Sequence, residues 1–271
     1  MENLSVLDVM ENDNVKFEIV EYKKLKGGRS ENTAQKLFFM EKVGMTLKHV
    51  RITLKKSSSV KMESGALYFM KGNISIKNEV TKGFVRNLGS NLLGGESLFK
   101  PEYSGSGEIW LNPTLGHYML IELDNDEIIV DKGLYYASEA SLEVSAVIQK
   151  NLSSAFFGGE GLFQTKVKGT GIVALTVPIP IEEVQIYELN NETLHVDGNF
   201  ALLRRGNVRF SVELATKGLL GATTSGEGFL QTFTGTGEVW IAPTQHVYEQ
   251  LESGLSMASL GLGGKSSVKV K

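Results

Sequence analysis

The stretch IELDNDEIIVD, from Ile121 to Asp131, returns without a gap as YELNNETLHVD, from Tyr187 to Asp197. The two agree at Glu122/Glu188, Leu123/Leu189, Asn125/Asn191, Val130/Val196 and Asp131/Asp197. A weaker copy precedes both: Ile52, Leu54, the serines Ser57 to Ser59, then Val60, Met62 and Glu63-Ser64-Gly65, which stands where Asp131-Lys132-Gly133 and Asp197-Gly198 stand later. Self-similarity at a fixed period, here about 65 residues, marks a chain built from repeated supersecondary units.

The second half of the unit repeats more plainly. GGESLF leads to Gly105-Ser106-Gly107, GGEGLF to Gly169-Thr170-Gly171, and SGEGFL to Gly235-Thr236-Gly237. WLNPT from Trp110 and WIAPT from Trp240 follow at matched spacing, while the middle copy reads ALTVP from Ala174. Segments such as ALYFMKGNISI, LEVSAVI and VRFSVEL alternate apolar residues and are rich in β-branched and aromatic side chains, the pattern of short strands. Asp124-Asn125 and Asn190-Asn191 suggest tight turns, because short amide and carboxylate side chains tolerate left-handed backbone. Each Gly-x-Gly suggests a turn or bulge between strands. Pro113, Pro178 and Pro243 close each copy where a ladder donor is no longer needed. Helix is minor: Glu31 to Lys42, with Ser30 as a cap, and Val247 to Ser259.

The fold class expected is therefore all-β, with an N-terminal extension over residues 1–45, β-units over 46–115, 116–180 and 181–244, and a C-terminal tail over 245–271. The chain has 271 residues, no cysteine and a formal charge of −3. It is long enough to bury a core without disulfide or metal staples. The missing thiols exclude iron–sulfur clusters, thiolate zinc sites and cysteine nucleophiles, and fit a reducing compartment. The start, MENLSVLDVMEND, is acidic where a signal peptide is basic. The most apolar run, Gly171 to Ile181, is broken by Pro178 and Pro180 and is too short to span a bilayer. A cytoplasmic location and no integral membrane span are expected.

No chemistry-bearing motif emerges. The Gly-x-Gly pairs lead into strand-like VALTV and EVW, whereas a dinucleotide site needs a helix N-terminus. Gly264-Lys265-Ser266 resembles the end of a phosphate loop, but Ser259 stands where its first glycine belongs. His49, His117, His195 and His246 show no metal-ligand spacing, and no nucleophile elbow surrounds Ser153-Ser154. Basic residues from Lys48 to Lys61 read as a solvated strand face, and His195 as an outward polar residue. Glu96, Glu160 and Glu227 share one place in the three copies, where a carboxylate satisfies backbone donors at a glycine turn or meets a neighbouring base. Trp110 and Trp240 read as packing residues. Neither catalytic, cofactor-binding nor metal-binding residues are assigned, and no enzyme activity is expected.

The thrice-repeated Gly-Glu motif, its Gly-x-Gly and the WLNPT and WIAPT segments behind it resemble the altered-inheritance-of-mitochondria family, over about Thr46 to Thr244. That resemblance implies three tandem units with a fold similar to the tryptophan RNA-binding attenuation protein, each a β-sandwich that is a compact variant of the double-stranded β-helix. It also implies a homotrimer arranged as a nine-unit ring. The family's eukaryotic members are mitochondrial and associated with inner-membrane organisation, but no Arg-rich presequence is visible here. The functional expectation is a non-enzymatic scaffold or assembly protein whose ring presents a binding surface to a protein or membrane-associated partner. The alternative is a nucleic-acid or small-ligand binder acting at boundaries between units, which the acidic balance disfavours for nucleic acid.

Overall fold

The structure is a computed structural model and describes residues 3–77, 100–149, 162–214 and 229–253. Among the described residues, twelve strands form one antiparallel sheet system. A hairpin, β1 (Leu4–Glu11) and β2 (Val15–Tyr22), precedes helix α1 (Glu31–Lys42). Three strand triplets follow. The first is β3 (Leu47–Met62), β4 (Leu67–Lys77) and β5 (Glu102–Leu111). The second is β6 (His117–Val130), the interrupted pair β7 (Tyr135–Glu139) and β8 (Glu143–Gln149), and β9 (Leu162–Val177). The third is β10 (Gln185–Asp197), β11 (Ala201–Leu214) and β12 (Phe229–Ile241), closed by the short helix α2 (Gln245–Glu252).

In each triplet the last strand lies between the other two. β5 pairs with β3 and β4, β9 with β6 and with β7 and β8, and β12 with β10 and β11. The registers correspond: Leu54, Leu123 and Leu189 face Gly107, Gly171 and Gly237 in turn. The repeated sequence thus encodes a repeated ladder. Pro113, Pro178 and Pro243 each fall one or two residues beyond β5, β9 and β12.

Two sequence expectations are corrected. Asp124-Asn125 and Asn190-Asn191 make no hairpin turns. They sit inside β6 and β10 as bulges, with Asn125 and Asn191 at φ 49° and 57°. The strands on either side stay paired with the same neighbour, so the extra residue bends the ladder without ending it. Likewise, the Gly-x-Gly pairs of β9 and β12 lie opposite these bulges, and that of β5 opposite a bulge at Lys56-Ser57 in β3, rather than between strands.

Alternation along β6 and its partner β9 explains the apolar run from Gly171 that looked closest to a membrane segment. Tyr118 and Leu120 enter one core cluster, while Met119, Ile121 and Leu123 enter another. On β9, Ile172 and Ala174 join the first cluster, and Val173, Leu175 and Val177 the second. A strand buried on both faces reads as a continuous apolar stretch. The first cluster is completed by Val15, Phe17 and Ile19 of β2 and Val50, Ile52 and Leu54 of β3. The hairpin thus supplies core to the first triplet. No described helix is long and apolar enough to cross a membrane.

Candidate functional site

Two places gather polar or aromatic side chains on sheet positions fixed by register. The first is a cross-strand row on β2, β3, β5 and β4: Glu18 faces Arg51, Arg51 faces Trp110, and Trp110 faces Phe69. Because strand residues alternate between faces, His49 and Arg51 lie on this side while Val50 and Ile52 enter the core. The Arg51 Nε donates to Glu18 Oε2 at 2.8 Å, and its guanidinium lies 5.3 Å from the Trp110 ring centre. Phe69 stacks on Trp110 with centroids 5.3 Å apart. The buried His49 ring meets Trp110, Tyr22 and Tyr68, and its Nδ1–H donates to the Leu111 carbonyl at 2.9 Å. The row ends on the exposed rings of Tyr68 and Phe69.

The matched row in the middle triplet is Leu120, Ala174 and Ala137, and in the third Ile186, Trp240 and Leu203. Leu120, Ala137 and Ala174 are buried in the first core cluster. A tryptophan there would overfill a closed interface, which is why the middle copy carries alanine. Trp110 is 7% exposed beneath Phe69 and Arg51, whereas Trp240 packs beside the second cluster and donates to Glu238 at 2.9 Å.

Burial would raise the Glu18 carboxyl, but hydrogen bonds from Arg51 and Lys16 outweigh it and hold it below the usual range. A group depressed in this way stabilises the fold above its unfolded pKa, and that stabilisation disappears as pH falls through the folded value. Replacing Arg51→Met leaves a buried carboxylate with only Lys16, so a loss of about 2–3 kcal/mol is expected near neutral pH. Urea midpoints measured at about pH 7 and about pH 3 should show the difference from wild type narrowing on acidification. A difference independent of pH would assign the loss to the Trp110 contact instead.

The second place is the pair of junctions between triplets. At the first, the end of β3 pairs with β7: Val60 with Glu139, Lys61 with Ser138, Met62 with Ala137. At the second, the end of β6 pairs with β11: Ile128 with Arg205, Ile129 with Arg204, Val130 with Leu203. These are equivalent positions. The flanking bonds match too, with Glu63 N–H donating to Tyr136 at 2.8 Å and Asp131 N–H to Leu202 at 2.9 Å. The first junction holds Glu139, whose Oε1 accepts from Ile172 N–H at 2.9 Å and Asn12 Nδ2 at 2.7 Å. The second holds Arg204, buried against Phe210, whose Nη1 donates to Gln164 at 2.7 Å. Burial pushes the Arg204 guanidinium down to about 10, so it keeps its charge at neutral pH. Beside it, burial raises the Asp131 carboxyl, against hydrogen bonds from the Lys132 backbone and Asn199. Arg205 and Asp126 form an ion pair across the same seam.

Glu96, Glu160 and Glu227 lie outside the described residues, as do Ser153-Ser154 and Gly264-Lys265-Ser266. The histidines stand on separate elements. His49 is buried in the aromatic row, and His117 is half-buried at the start of β6. His195 is exposed beside Thr232, and His246 is exposed on α2. Among the described residues no three acidic or histidine side chains gather as a cation site. Of the basic residues of β3, Lys55 pairs with Glu11 and Lys61 donates to the Ala140 and Leu142 carbonyls, while Lys56 is exposed. Sequence reasoning missed Glu18 and Arg204, because an ion pair or cation buried across distant strands leaves no local pattern.

A model of the family described as mitochondrial biogenesis AIM24 matches residues 40–244. An uncharacterised protein of Streptococcus pyogenes serotype M6 is 25% identical over 202 residues, spanning 71% of this chain and 79% of that protein. The crystal structure of a protein from Streptococcus pyogenes is similar with a TM-score of 0.55 at 21% identity, covering 77% of this chain and 94% of that one.

Proposed function

Because the chain belongs to the mitochondrial biogenesis AIM24 family, whose matched streptococcal relative is itself uncharacterised, its role has to be sought on its own surfaces, and we propose a non-enzymatic assembly protein. In this reading each triplet is a unit similar to those of the tryptophan RNA-binding attenuation protein. Three chains close head to tail into a ring that presents a surface to a protein or membrane-associated partner.

The observation carrying this reading is the repeated junction and its two open halves. The positions of β10 equivalent to Val60–Met62 and Ile128–Val130 are Leu194 to Val196, and among the described residues β10 pairs only with β12. The positions of β4 equivalent to Ala137–Glu139 and Leu203–Arg205 are Phe69 to Lys71, and among the described residues β4 pairs only with β5. Joined in the same register, Leu194 would face Lys71, His195 would face Met70, and Val196 would face Phe69. Phe69 and Met70 are 47% and 39% exposed, an unusual state for apolar side chains on an open edge. Charge agrees as well, since Glu192 and Lys71 occupy the places of the Asp126–Arg205 pair. Closed rotational symmetry is the usual way to satisfy such complementary edges.

The test is absolute mass by light scattering. A stable species near three chains is expected, and Met70→Pro should return it to one chain while the fold melts normally. In an antiparallel ladder bonding alternates, so the Met70 N–H points away from β5, and proline there removes only the bond across the seam. Lys71→Glu should weaken the assembly and Glu192→Lys in the same chain restore it. A wild-type monomer at all concentrations would overturn the ring.

A further inference from the structure

Helix α1 and the loop before it stand apart in chemistry from the rest of the chain. Over residues 23–42 there are six basic and two acidic side chains, in a protein whose formal charge is −3. All eight are exposed. The helix is capped by Ser30, whose Oγ accepts from the Thr33 N–H, and its inner side faces the body across a cleft that Leu37 and Met40 line with Tyr22 and Leu25. Lys24 and Glu41 tie the same side at 2.7 Å. What this docking leaves outward is apolar. Phe38 and Phe39 are 53% and 56% exposed, and Val43 is 73% exposed.

At 3.6 residues per turn, Phe38, Phe39, Lys42 and Val43 fall on one side of the helix, opposite Leu37 and Met40. The two phenyl rings stack edge to face at 5.5 Å, and the Lys42 ammonium lies 5.4 Å from the Phe38 ring centre. A soluble monomer rarely leaves adjacent aromatic rings in water without a use for them. A preformed helix with exposed aromatic side chains ringed by basic ones has the composition of an interfacial anchor, in which rings enter the acyl boundary and ammonium groups meet anionic headgroups. A protein occupant would need acidic groups to match. The local excess of positive charge opposes pairing of this face with the same face of a second copy.

We propose that α1, with Lys23, Lys26 and Arg29 before it and Phe38, Phe39 and Val43 at its outward face, docks this protein on an anionic lipid surface. The anchor precedes most of the stretch matched by the family and needs neither the ring nor a protein partner, so it stands or falls apart from the proposed assembly.

Flotation of the full chain with vesicles of about 30 mol% phosphatidylserine in phosphatidylcholine, against phosphatidylcholine alone, tests it. Binding to the anionic vesicles only is expected, falling at least about tenfold when salt rises from ~0.05 M to ~0.5 M. Phe38→Ser with Phe39→Ser should lower partition about tenfold or more, and Lys23→Glu with Arg29→Glu should abolish it, each with an unchanged thermal melt. These substitutions lie on exposed positions, so folding is not at risk. Absence of wild-type binding, equal binding to neutral vesicles, or binding unaffected by either pair of substitutions overturns the proposal. A drop in solution mass with the serine pair, without vesicle binding, would give the face to a second copy instead.

Discussion

Gly105→Ala should cost roughly 3–5 kcal/mol and Gly235→Ala nearly as much, losses that take a large share of the stability of an ordinary domain. At Gly105 the backbone has φ +146°, and an added Cβ would lie 2.0 Å from the Asn73 carbonyl oxygen. At Gly235 the values are φ +142° and 2.1 Å from the Asn207 carbonyl. These obstacles are backbone atoms of the paired strand, so no rotamer change relieves them. The middle triplet differs, because β7 and β8 are interrupted where β4 and β11 run on. There the Cβ of Gly169→Ala would meet the Leu142 Cδ2 at 3.2 Å, a flexible side chain. Its cost should be nearer 1–3 kcal/mol, from backbone strain. Urea midpoints at constant slope measure the order; equal losses at all three positions would contradict the close approach.

Phe17→Ala is the second large effect, a loss of about 3–5 kcal/mol. Phe17 is fully buried in the first core cluster, facing Ile52 across the β2–β3 ladder. If the residues before the repeat were a decoration on a self-sufficient core, its truncation would matter little. Leu7→Ala on the neighbouring β1, where Leu7 is 50% exposed, should change the midpoint by less than about 0.5 kcal/mol and serves as the comparison. Similar small losses for both would show the hairpin to be dispensable.

The legible parts of this fold were those that recur. Strand triplets, the closing prolines and the outward His195 follow from repeated patterns, and α1 with its Ser30 cap follows from a local one. The bulges at Asn125 and Asn191 were misread because left-handed asparagine suits hairpin and bulge alike. Only knowledge that both flanks share one partner strand separates the two. β2 shows alternation in Val15, Phe17 and Ile19, but it has no counterpart in the later copies, and Glu18 interrupts its apolar run. That glutamate is buried because Arg51, 33 positions later, neutralises it. The junctions were equally hidden, since equivalence of Val60, Ile128 and Leu194 becomes visible only through strand register.

Both-sided burial of β6 and β9 has a consequence for synthesis on the ribosome. The hydrophobic cluster begun by Val15 is not closed until Ala174 emerges. At about 10 residues per second, the nascent N-terminal third waits on the order of 15 s with its interior uncovered. Two acceptors of the same register are offered to the free end of β3, β7 within that wait and β11 only after it. Ser138 fits the buried seam with Tyr135, whereas Arg204 in its place would carry a charge into the wrong cluster. The side chains that differ between the copies therefore act as addresses, directing each nascent strand to its own neighbour in a chain whose backbone would accept either.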